Sequence, residues 1–306
     1  MNDIAIKIEN LTKAFAGDVV VDNLNLEIRK GDLFGLVGPD GAGKTTVMRL
    51  LAAIMEPTSG EAWVASRSIL TEGEQIKENI GYMSQQFGLY EDLTVMENIL
   101  FYADIYDVPE NKRHSRIKRL LDFSNLAPFT NRLAGKLSGG MKQKLGLVCA
   151  LIHRPDILFL DEPTNGVDPV SRRDFWKILY GLLKEHVTIF VSTAYLDEAE
   201  RCMEIGLLYN GKLLVKAKPA EIKKAIKFPM LELWSDDAYT VKNVVADMKG
   251  IQGVSIYGDR LHITLTEKGI IDETIEKLKV EGMGIKDYRE ILPSIEDVFI
   301  SMVGKQ

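Results

Sequence analysis

One segment of the sequence has the residue types and spacing to bind phosphate groups. Residues 38–45 read Gly-Pro-Asp-Gly-Ala-Gly-Lys-Thr and match the pattern G-x-x-x-x-G-K-[ST] at every fixed position. Glycines let a backbone turn its N–H groups inward, and the N-terminus of a following helix favours an anion. We expect Lys44 to reach the β- and γ-phosphates of ATP, Thr45 to ligate Mg²⁺ and Thr46 to contact the α-phosphate. The candidate nucleotide-binding residues here are Gly38, Pro39, Asp40, Gly41, Ala42, Gly43, Lys44, Thr45 and Thr46.

A pair of carboxylates follows an apolar strand further along the chain. Residues 157–160 read Ile-Leu-Phe-Leu, and Asp161 and Glu162 come directly after them. A carboxylate at the end of a strand can hold Mg²⁺ through its water shell, and a neighbouring one can polarise an attacking water. We therefore predict that Asp161 binds the metal and that Glu162 is the catalytic group of ATP hydrolysis.

Alternating strands and helices are predicted to position these residues. An apolar run at residues 33–37 precedes the phosphate-binding segment, and a helix is predicted over 45–55. Two more apolar strands, 157–160 and 188–192, flank a predicted helix at about 172–185. This order favours a mainly parallel sheet with crossover helices. Alternating apolar segments before residue 30 predict an antiparallel N-terminal sheet beside it.

The chain changes character around residues 223–229, where a lysine-rich helix ends before Phe-Pro. We predict one domain over 1–226, with a helical subdomain at about 87–153, and a second domain over 227–306. From Met230 onward the predicted order is strand, helix, strand, strand, helix, strand, helix, which is that of a small ferredoxin-like α+β domain.

Bulk properties exclude several classes of protein. The 306 residues carry a formal net charge of −6, which disfavours a nucleic-acid partner. Cys149 and Cys202 lack CxxC spacing, so we expect reduced thiols and neither a disulfide framework nor a zinc site. The N-terminus does not read as a signal peptide, and no apolar run approaches the roughly 20 residues that span a bilayer. We expect a cytoplasmic chain that another protein holds at the membrane.

A third motif narrows the choice among phosphate-binding proteins. Residues 137–143 read Leu-Ser-Gly-Gly-Met-Lys-Gln, which resembles the signature motif of ABC ATPases. The order of the motifs over residues 4–226 is that of an ABC nucleotide-binding domain. The resemblance implies an α/β fold, a P-loop NTPase domain with a helical subdomain. It also implies that Phe15 stacks on adenine and that Gln85, or the adjacent Gln86, contacts Mg²⁺ and the attacking water.

The resemblance further implies that the chain acts as a dimer. In this family two domains face each other head to tail, and each ATP lies between one P-loop and the partner's signature motif. Ser138, Gly139 and Gly140 would then contact the nucleotide of a second ABC domain, on an identical or a related chain. Residues 166–168 would form the D-loop, which crosses to that partner.

Several further segments are similar to bacterial ABC-2-type multidrug exporters. They are residues 166–169, 171–176, 195–200 and 293–299. This resemblance implies an energy-coupling ATPase subunit for a drug or another hydrophobic substrate. A separate membrane-spanning permease would handle the substrate and hold the chain on the inner face of the cell membrane.

One position departs from the family pattern. The family has a histidine after the strand that follows the acidic pair, and it contacts the γ-phosphate and steadies the catalytic glutamate; this chain has Ala194. We therefore expect ATP to bind well at the chain's own P-loop and to be hydrolysed slowly. Two alternatives stay open: a catalytically weak regulatory subunit, and a soluble ABC protein not tied to transport. Proteins of the latter kind usually fuse two ATPase domains or insert a long coiled coil, and neither is visible here.

Overall fold

The computed structural model describes residues 3–86, 88–226 and 228–303. The chain divides into two compact units, residues 1–216 and 217–306. The predicted domain boundary between residues 226 and 227 lies ten residues further on and stays a prediction. Lys227 and the predicted start of the helical subdomain at residue 87 lie outside the described residues.

The first unit is built from the strands and helices that the alternating pattern predicts. In chain order its described strands are β1 Ile4–Phe15, β2 Asp18–Arg29, β3 Leu33–Val37, β4 Ser59–Val64, β5 Arg67–Ser68, β6 Ile80–Met83, β7 Ile157–Asp161, β8 Thr188–Thr193, β9 Glu204–Tyr209 and β10 Lys212–Ala217. Its described α-helices are α1 Lys44–Leu51, α2 Gly73–Asn79, α3 Val95–Ile105, α4 Glu110–Ser124, α5 Gly139–Leu151, α6 Pro169–Leu183 and α7 Leu196–Ala199.

Two sheets form the frame of this unit. The N-terminal sheet has the order β2-β1-β4-β5 with antiparallel pairs, as predicted. The second sheet has the order β10-β9-β3-β8-β7-β6, and its pairs from β9 to β6 are parallel. Every residue of β3, β7 and β8 is buried, as expected for central strands covered on both faces. The predicted mainly parallel sheet is confirmed.

The first helix is shorter than the sequence predicts. It ends at Leu51 rather than Met55, because Ala53 takes a left-handed conformation with φ 52°. The Ala53 N–H donates to the Leu50 carbonyl, and the Ile54 N–H donates to the Arg49 carbonyl at 3.0 Å. This is the Schellman closure of a helix, with alanine in the position usually taken by glycine.

Helices α3, α4 and α5 share one apolar core in the region where the helical subdomain is predicted. A capping box begins α3: the Glu97 N–H donates to Thr94 Oγ1 at 3.2 Å, and the Thr94 N–H donates to Glu97 Oε2 at 2.7 Å. This reciprocal pair satisfies two donors at the helix start. The N-terminus of α5 is the segment that resembles the signature motif.

The second unit has the predicted order of elements. After a short helix, α8 Pro219–Lys223, come β11 Met230–Ser235, α9 Ala238–Ala246, β12 Ile251–Tyr257, β13 Arg260–Leu265, α10 Ile270–Val280, β14 Ile285–Ile291 and α11 Ile295–Val303. Its sheet has the order β12-β13-β11-β14 with antiparallel pairs throughout. This is the split β-α-β arrangement of a ferredoxin-like domain, so the predicted fold class is confirmed.

A buried ionic cluster links the sheet of the second unit to α11. His262 Nδ1 lies 2.8 Å from Asp297 Oδ1, and His262 Nε2 lies 3.4 Å from Glu232 Oε1. Arg260 and Arg289 also pair with Glu232. Burial by itself lowers the pKa of His262, but the hydrogen bonds and charges of Asp297 and Glu232 outweigh it and raise that pKa above its ordinary 6.5. The stabilisation from protonated His262 is therefore fully present below about pH 6.5 and is lost as the pH rises through the folded-state pKa.

The chain has four histidines, and the order of the pKa values of two of them tests this cluster directly. In an NMR titration, His262 is expected to titrate above 6.5 and His153 below it. Burial is the main reason that the pKa of His153 is lowered; Arg116 adds to this, and a bond to the Ile80 carbonyl opposes it. The variant His262→Gln assigns the signal by removing it. A His262 pKa at or below that of His153 would contradict the predicted order.

The structure bears on the expectations about the cysteines and about membrane-spanning segments. Cys149 and Cys202 are buried free thiols, and burial raises both pKa values, that of Cys202 to about 12. No helix within the described parts of the chain has the length and apolar composition that crossing a membrane requires.

Candidate nucleotide-binding site

The phosphate loop, residues 38–46, joins the end of β3 to the start of α1. Gly43 immediately before the helix has φ 105°, and a Cβ at Gly38 would lie 2.2 Å from the Leu208 carbonyl oxygen. Both positions therefore require glycine. The loop lies at the carboxyl edge of a parallel sheet, and α1 begins inside it, so helix N–H groups are available to an anion.

Lys44 is held inside this loop although it is a charged residue. Its side chain is only 3% exposed, and Nζ donates to the carbonyl oxygens of Gly38 at 2.8 Å and Pro39 at 3.0 Å. Nζ also lies 3.1 Å from Glu162 Oε1. A buried ammonium is tolerated because these oxygens surround it. The group that should contact phosphates is therefore already positioned in the loop.

Asp161, the last residue of β7, meets the phosphate loop from the neighbouring part of the sheet. Thr45 Oγ1 donates to Asp161 Oδ1 at 3.1 Å, and Ser192 Oγ donates to the same oxygen at 2.6 Å. The other oxygen, Oδ2, is buried and has no hydrogen-bond partner. A buried unpaired carboxylate oxygen is costly unless a ligand occupies it. This oxygen and the Thr45 hydroxyl fit a Mg²⁺ ion or its water shell.

A magnesium site of this kind needs few protein ligands. No group of three or more His, Cys, Asp or Glu residues that could hold a metal occurs in the described chain. Mg²⁺ bound with a nucleotide usually takes one or two protein oxygens together with phosphates and waters. One carboxylate and one hydroxyl are thus consistent with the ion that the sequence predicts.

Glu162 has its two carboxylate oxygens in different environments. Oε1 faces Lys44, whereas Oε2 accepts from Gln85 Nε2 and from Asn165 Nδ2, each at 3.2 Å. The Glu162 backbone is left-handed, with φ 47°, and its N–H is held by Ser192. The contact between Gln85 and Glu162 favours Gln85, rather than its neighbour Gln86, as the glutamine predicted to lie near the attacking water. The predicted catalytic residues Glu162 and Gln85 therefore lie beside Lys44, the predicted phosphate-binding residue.

Sequence reasoning missed three polar residues that support this site. Ser192 pairs with Asp161 across the parallel strands β7 and β8. Asn165 holds Glu162, and buried Glu198 accepts from Thr193 Oγ1 at 2.8 Å and from Trp176 Nε1 at 3.3 Å. The available signal for Ser192 was a polar residue near the end of the apolar strand β8. Glu198 and Asn165 offered no comparable pattern.

The residues of the signature motif begin α5. Ser138 is the N-cap and accepts from the Met141 N–H at 3.4 Å. A Cβ at Gly139 would meet no atom within 4 Å, whereas one at Gly140 would lie 2.5 Å from Ser171. Within the described residues, the hydrogen bonds and ion pairs between the phosphate loop, Asp161 and Glu162 involve none of Ser138, Gly139 and Gly140. Their predicted contact with a partner's nucleotide stays a prediction.

Two further predicted positions lie at strand ends. Phe15 ends β1 and is 43% exposed, and Lys13 Nζ lies 5.1 Å from the centroid of its ring. An exposed ring is free to stack on a base, but its role stays a prediction. Ala194 follows β8 directly and is exposed. Its methyl group has no hydrogen-bond donor, so it cannot contact a phosphate as histidine does.

Known families match both units of the chain. Residues 21–165 match the family described as ABC transporter, and residues 218–303 match the C-terminal domain of DrrA1-3-like ATP-binding proteins. A solved ABC cassette in a dimeric post-hydrolysis state with ADP and Pi is 28% identical, with a TM-score of 0.63, over 70% of this chain and 98% of that one.

Two relatives match almost the whole chain. The probable multidrug ABC transporter ATP-binding protein YbhF of Escherichia coli is 41% identical over 99% of this chain, which spans only 53% of that relative. The bacitracin transport ATP-binding protein BcrA of Bacillus licheniformis is 33% identical over 98% of this chain and 97% of its own length. Together with the phosphate loop and acidic pair, these matches show that the chain belongs to the ATP-binding proteins of ABC transporters.

Proposed function

We propose that this chain binds Mg-ATP at residues 38–46 and hydrolyses it as the energy-coupling subunit of an exporter. The observation that carries this proposal is the convergence of Lys44, Thr45, Asp161 and Glu162 at one sheet edge. The relatives named for multidrug and bacitracin transport support a drug or another hydrophobic substrate.

The contacts of Lys44 suggest how nucleotide binding activates Glu162. The triphosphate carries more negative charge than one carboxylate, so it competes for the Lys44 ammonium. Glu162 Oε1 then becomes free to accept a proton from the attacking water, while Gln85 and Asn165 keep Oε2 in place. Asp161, Thr45 and Gln85 would hold Mg²⁺, which supplies positive charge against the phosphates.

A complete site requires a second ABC domain. The start of α5, with Ser138, Gly139 and Gly140, offers N–H groups at a helix N-terminus, which suit the phosphates of a partner's ATP. The partner is another copy of this chain or a related one. We further propose that a membrane-spanning permease holds the dimer on the inner face of the cell membrane; no nucleic-acid partner is proposed.

Ala194 is proposed to slow hydrolysis at this chain's own phosphate loop. A hydrogen bond to a charged group contributes about 1.5–3 kcal/mol, which is about 10- to 100-fold in rate if it is fully formed in the transition state. The variant Ala194→His is therefore expected to raise kcat by up to that factor. The measurement is steady-state phosphate release, alone and with the co-purified permease and partner ATPase.

Ala194→Leu serves as the matched control, since it adds bulk without a donor and should not accelerate turnover. Equally fast turnover in the wild type and in Ala194→His would contradict the proposed slow site.

A catalytically weak regulatory subunit is the second candidate, and Ala194 is the observation that favours it. It is supported if the wild type releases phosphate no faster than Glu162→Gln. A soluble ABC protein not tied to transport predicts that no membrane protein co-purifies with the chain. Co-purification of a permease distinguishes the exporter from that alternative.

A further inference from the structure

The aromatic residue after Ala194 has contacts to both its backbone and its ring, although the residue is partly exposed. The Tyr195 N–H donates to Thr193 Oγ1 at 3.0 Å, and Thr193 Oγ1 in turn donates to the buried Glu198 at 2.8 Å. The Arg172 guanidinium lies 4.4 Å from the centre of the Tyr195 ring, and Arg172 Nε lies 3.5 Å from Glu198 Oε1. Glu198 thereby anchors both the backbone and the ring of Tyr195.

The Tyr195 hydroxyl is connected to Glu162 by two hydrogen bonds through one side chain, that of Asn165. It donates to Asn165 Oδ1 at 3.2 Å, and Asn165 Nδ2 donates to Glu162 Oε2 at 3.2 Å. Both bonds require the same orientation of the Asn165 amide, with its oxygen toward the phenol and its nitrogen toward the carboxylate. The Glu162 carboxylate can only accept, so it orients the Asn165 nitrogen toward itself, and the Tyr195 hydroxyl satisfies the remaining amide oxygen of Asn165.

We propose that Tyr195 is a positioning residue that acts through Asn165 to hold the carboxylate of Glu162 for water activation. This proposal rests on the proposed function of Glu162. It assigns to the loop after β8 a hydrogen-bond donor, which Ala194 lacks, that acts on Glu162 through Asn165. With Oε2 fixed by Asn165 and Gln85, Oε1 keeps a defined direction after Lys44 turns to the nucleotide.

The kinetic test is Tyr195→Phe, which removes the hydroxyl and keeps the ring under Arg172. The expected result is a decrease of about 2- to 10-fold in kcat, the effect of one hydrogen bond, with an unchanged KM for ATP. Asn165→Ala should lower kcat at least as much, and the double variant should be no slower than Asn165→Ala alone. Such non-additivity is the signature of one chain of contacts.

The matched control is Tyr180→Phe. Its hydroxyl donates to the Arg201 carbonyl at 3.2 Å, at the same distance but away from Glu162. Tyr180→Phe is expected to leave kcat unchanged. An unchanged kcat in Tyr195→Phe, or additive losses in the double variant, would overturn the proposal; so would a loss confined to KM.

A second measurement does not depend on turnover. In protein labelled with ¹⁵N-asparagine, the side-chain amide signal of Asn165, assigned with Asn165→Ala, should shift in Tyr195→Phe and in Glu162→Gln but not in Tyr180→Phe. If the wild type hydrolyses no ATP, the proposed function fails and this signal still decides about the contact chain. An Asn165 side-chain signal whose chemical shift does not change in Tyr195→Phe would overturn the proposal even in an active enzyme.

Discussion

Glu162→Gln is expected to lower kcat for ATP hydrolysis by about 100-fold or more while Mg-ATP still binds. The amide keeps the size of the side chain and can still contact Gln85 or Asn165, but it cannot accept a proton from water. General-base catalysis typically contributes about 10²- to 10⁴-fold, so the loss should fall in that range. Phosphate release measures kcat, and calorimetric titration with Mg-ATP measures binding.

The control for this prediction is Glu276→Gln, an exposed change of the same type on α10. A thermal melt should accompany both variants, because Glu162→Gln also breaks the buried pair with Lys44. Unchanged turnover in a folded Glu162→Gln variant would refute the assignment of Glu162 as the catalytic group.

Lys44→Met is expected to produce the opposite pattern, with ATP binding itself weakened by about 10- to 100-fold. Methionine retains most of the apolar stem of the side chain, so the change isolates the ammonium that should contact the phosphates. A hydrogen bond between charged groups contributes about 1.5–3 kcal/mol, which corresponds to this range. The dissociation constant of Mg-ATP, from the same calorimetric titration, is the measurement.

Lys279→Met, at an exposed position of α10, is the corresponding control and should bind ATP as the wild type does. If Lys44→Met binds Mg-ATP with unchanged affinity, Lys44 does not contact the phosphates. The two variants together separate binding from chemistry: Glu162→Gln should bind without turnover, and Lys44→Met should fail at binding.

The sequence predicted the elements best where local conformation decides the outcome. The strand, loop and helix around residues 38–46 follow from glycines that permit left-handed backbone and from an apolar run before them. The seven elements after Met230 follow from short apolar patterns and turn residues. The predicted end of α1 was wrong because Ala53 adopts a left-handed conformation that is typical of glycine.

The supporting residues of the site could not be predicted in the same way. Ser192 acts on Asp161 only because β8 lies between β3 and β7 in the sheet. Glu198 is buried among groups from α6, from the segment after β7 and from the last residue of β8. These contacts depend on strand adjacency and helix packing, and no residue spacing along the chain encodes them.

The sequence by itself therefore determined which chemical groups are present: a phosphate loop, a pair of carboxylates, and no histidine at position 194. Only the tertiary structure decided how they meet. Parallel pairing brings Thr45 within 3.1 Å of Asp161, 116 residues away, and leaves one carboxylate oxygen of Asp161 unpaired. It also places Tyr195 within reach of Glu162 through Asn165. The physical reason is range: a motif specifies the backbone over a few residues, whereas a hydrogen bond requires atoms from distant segments to lie about 3 Å apart.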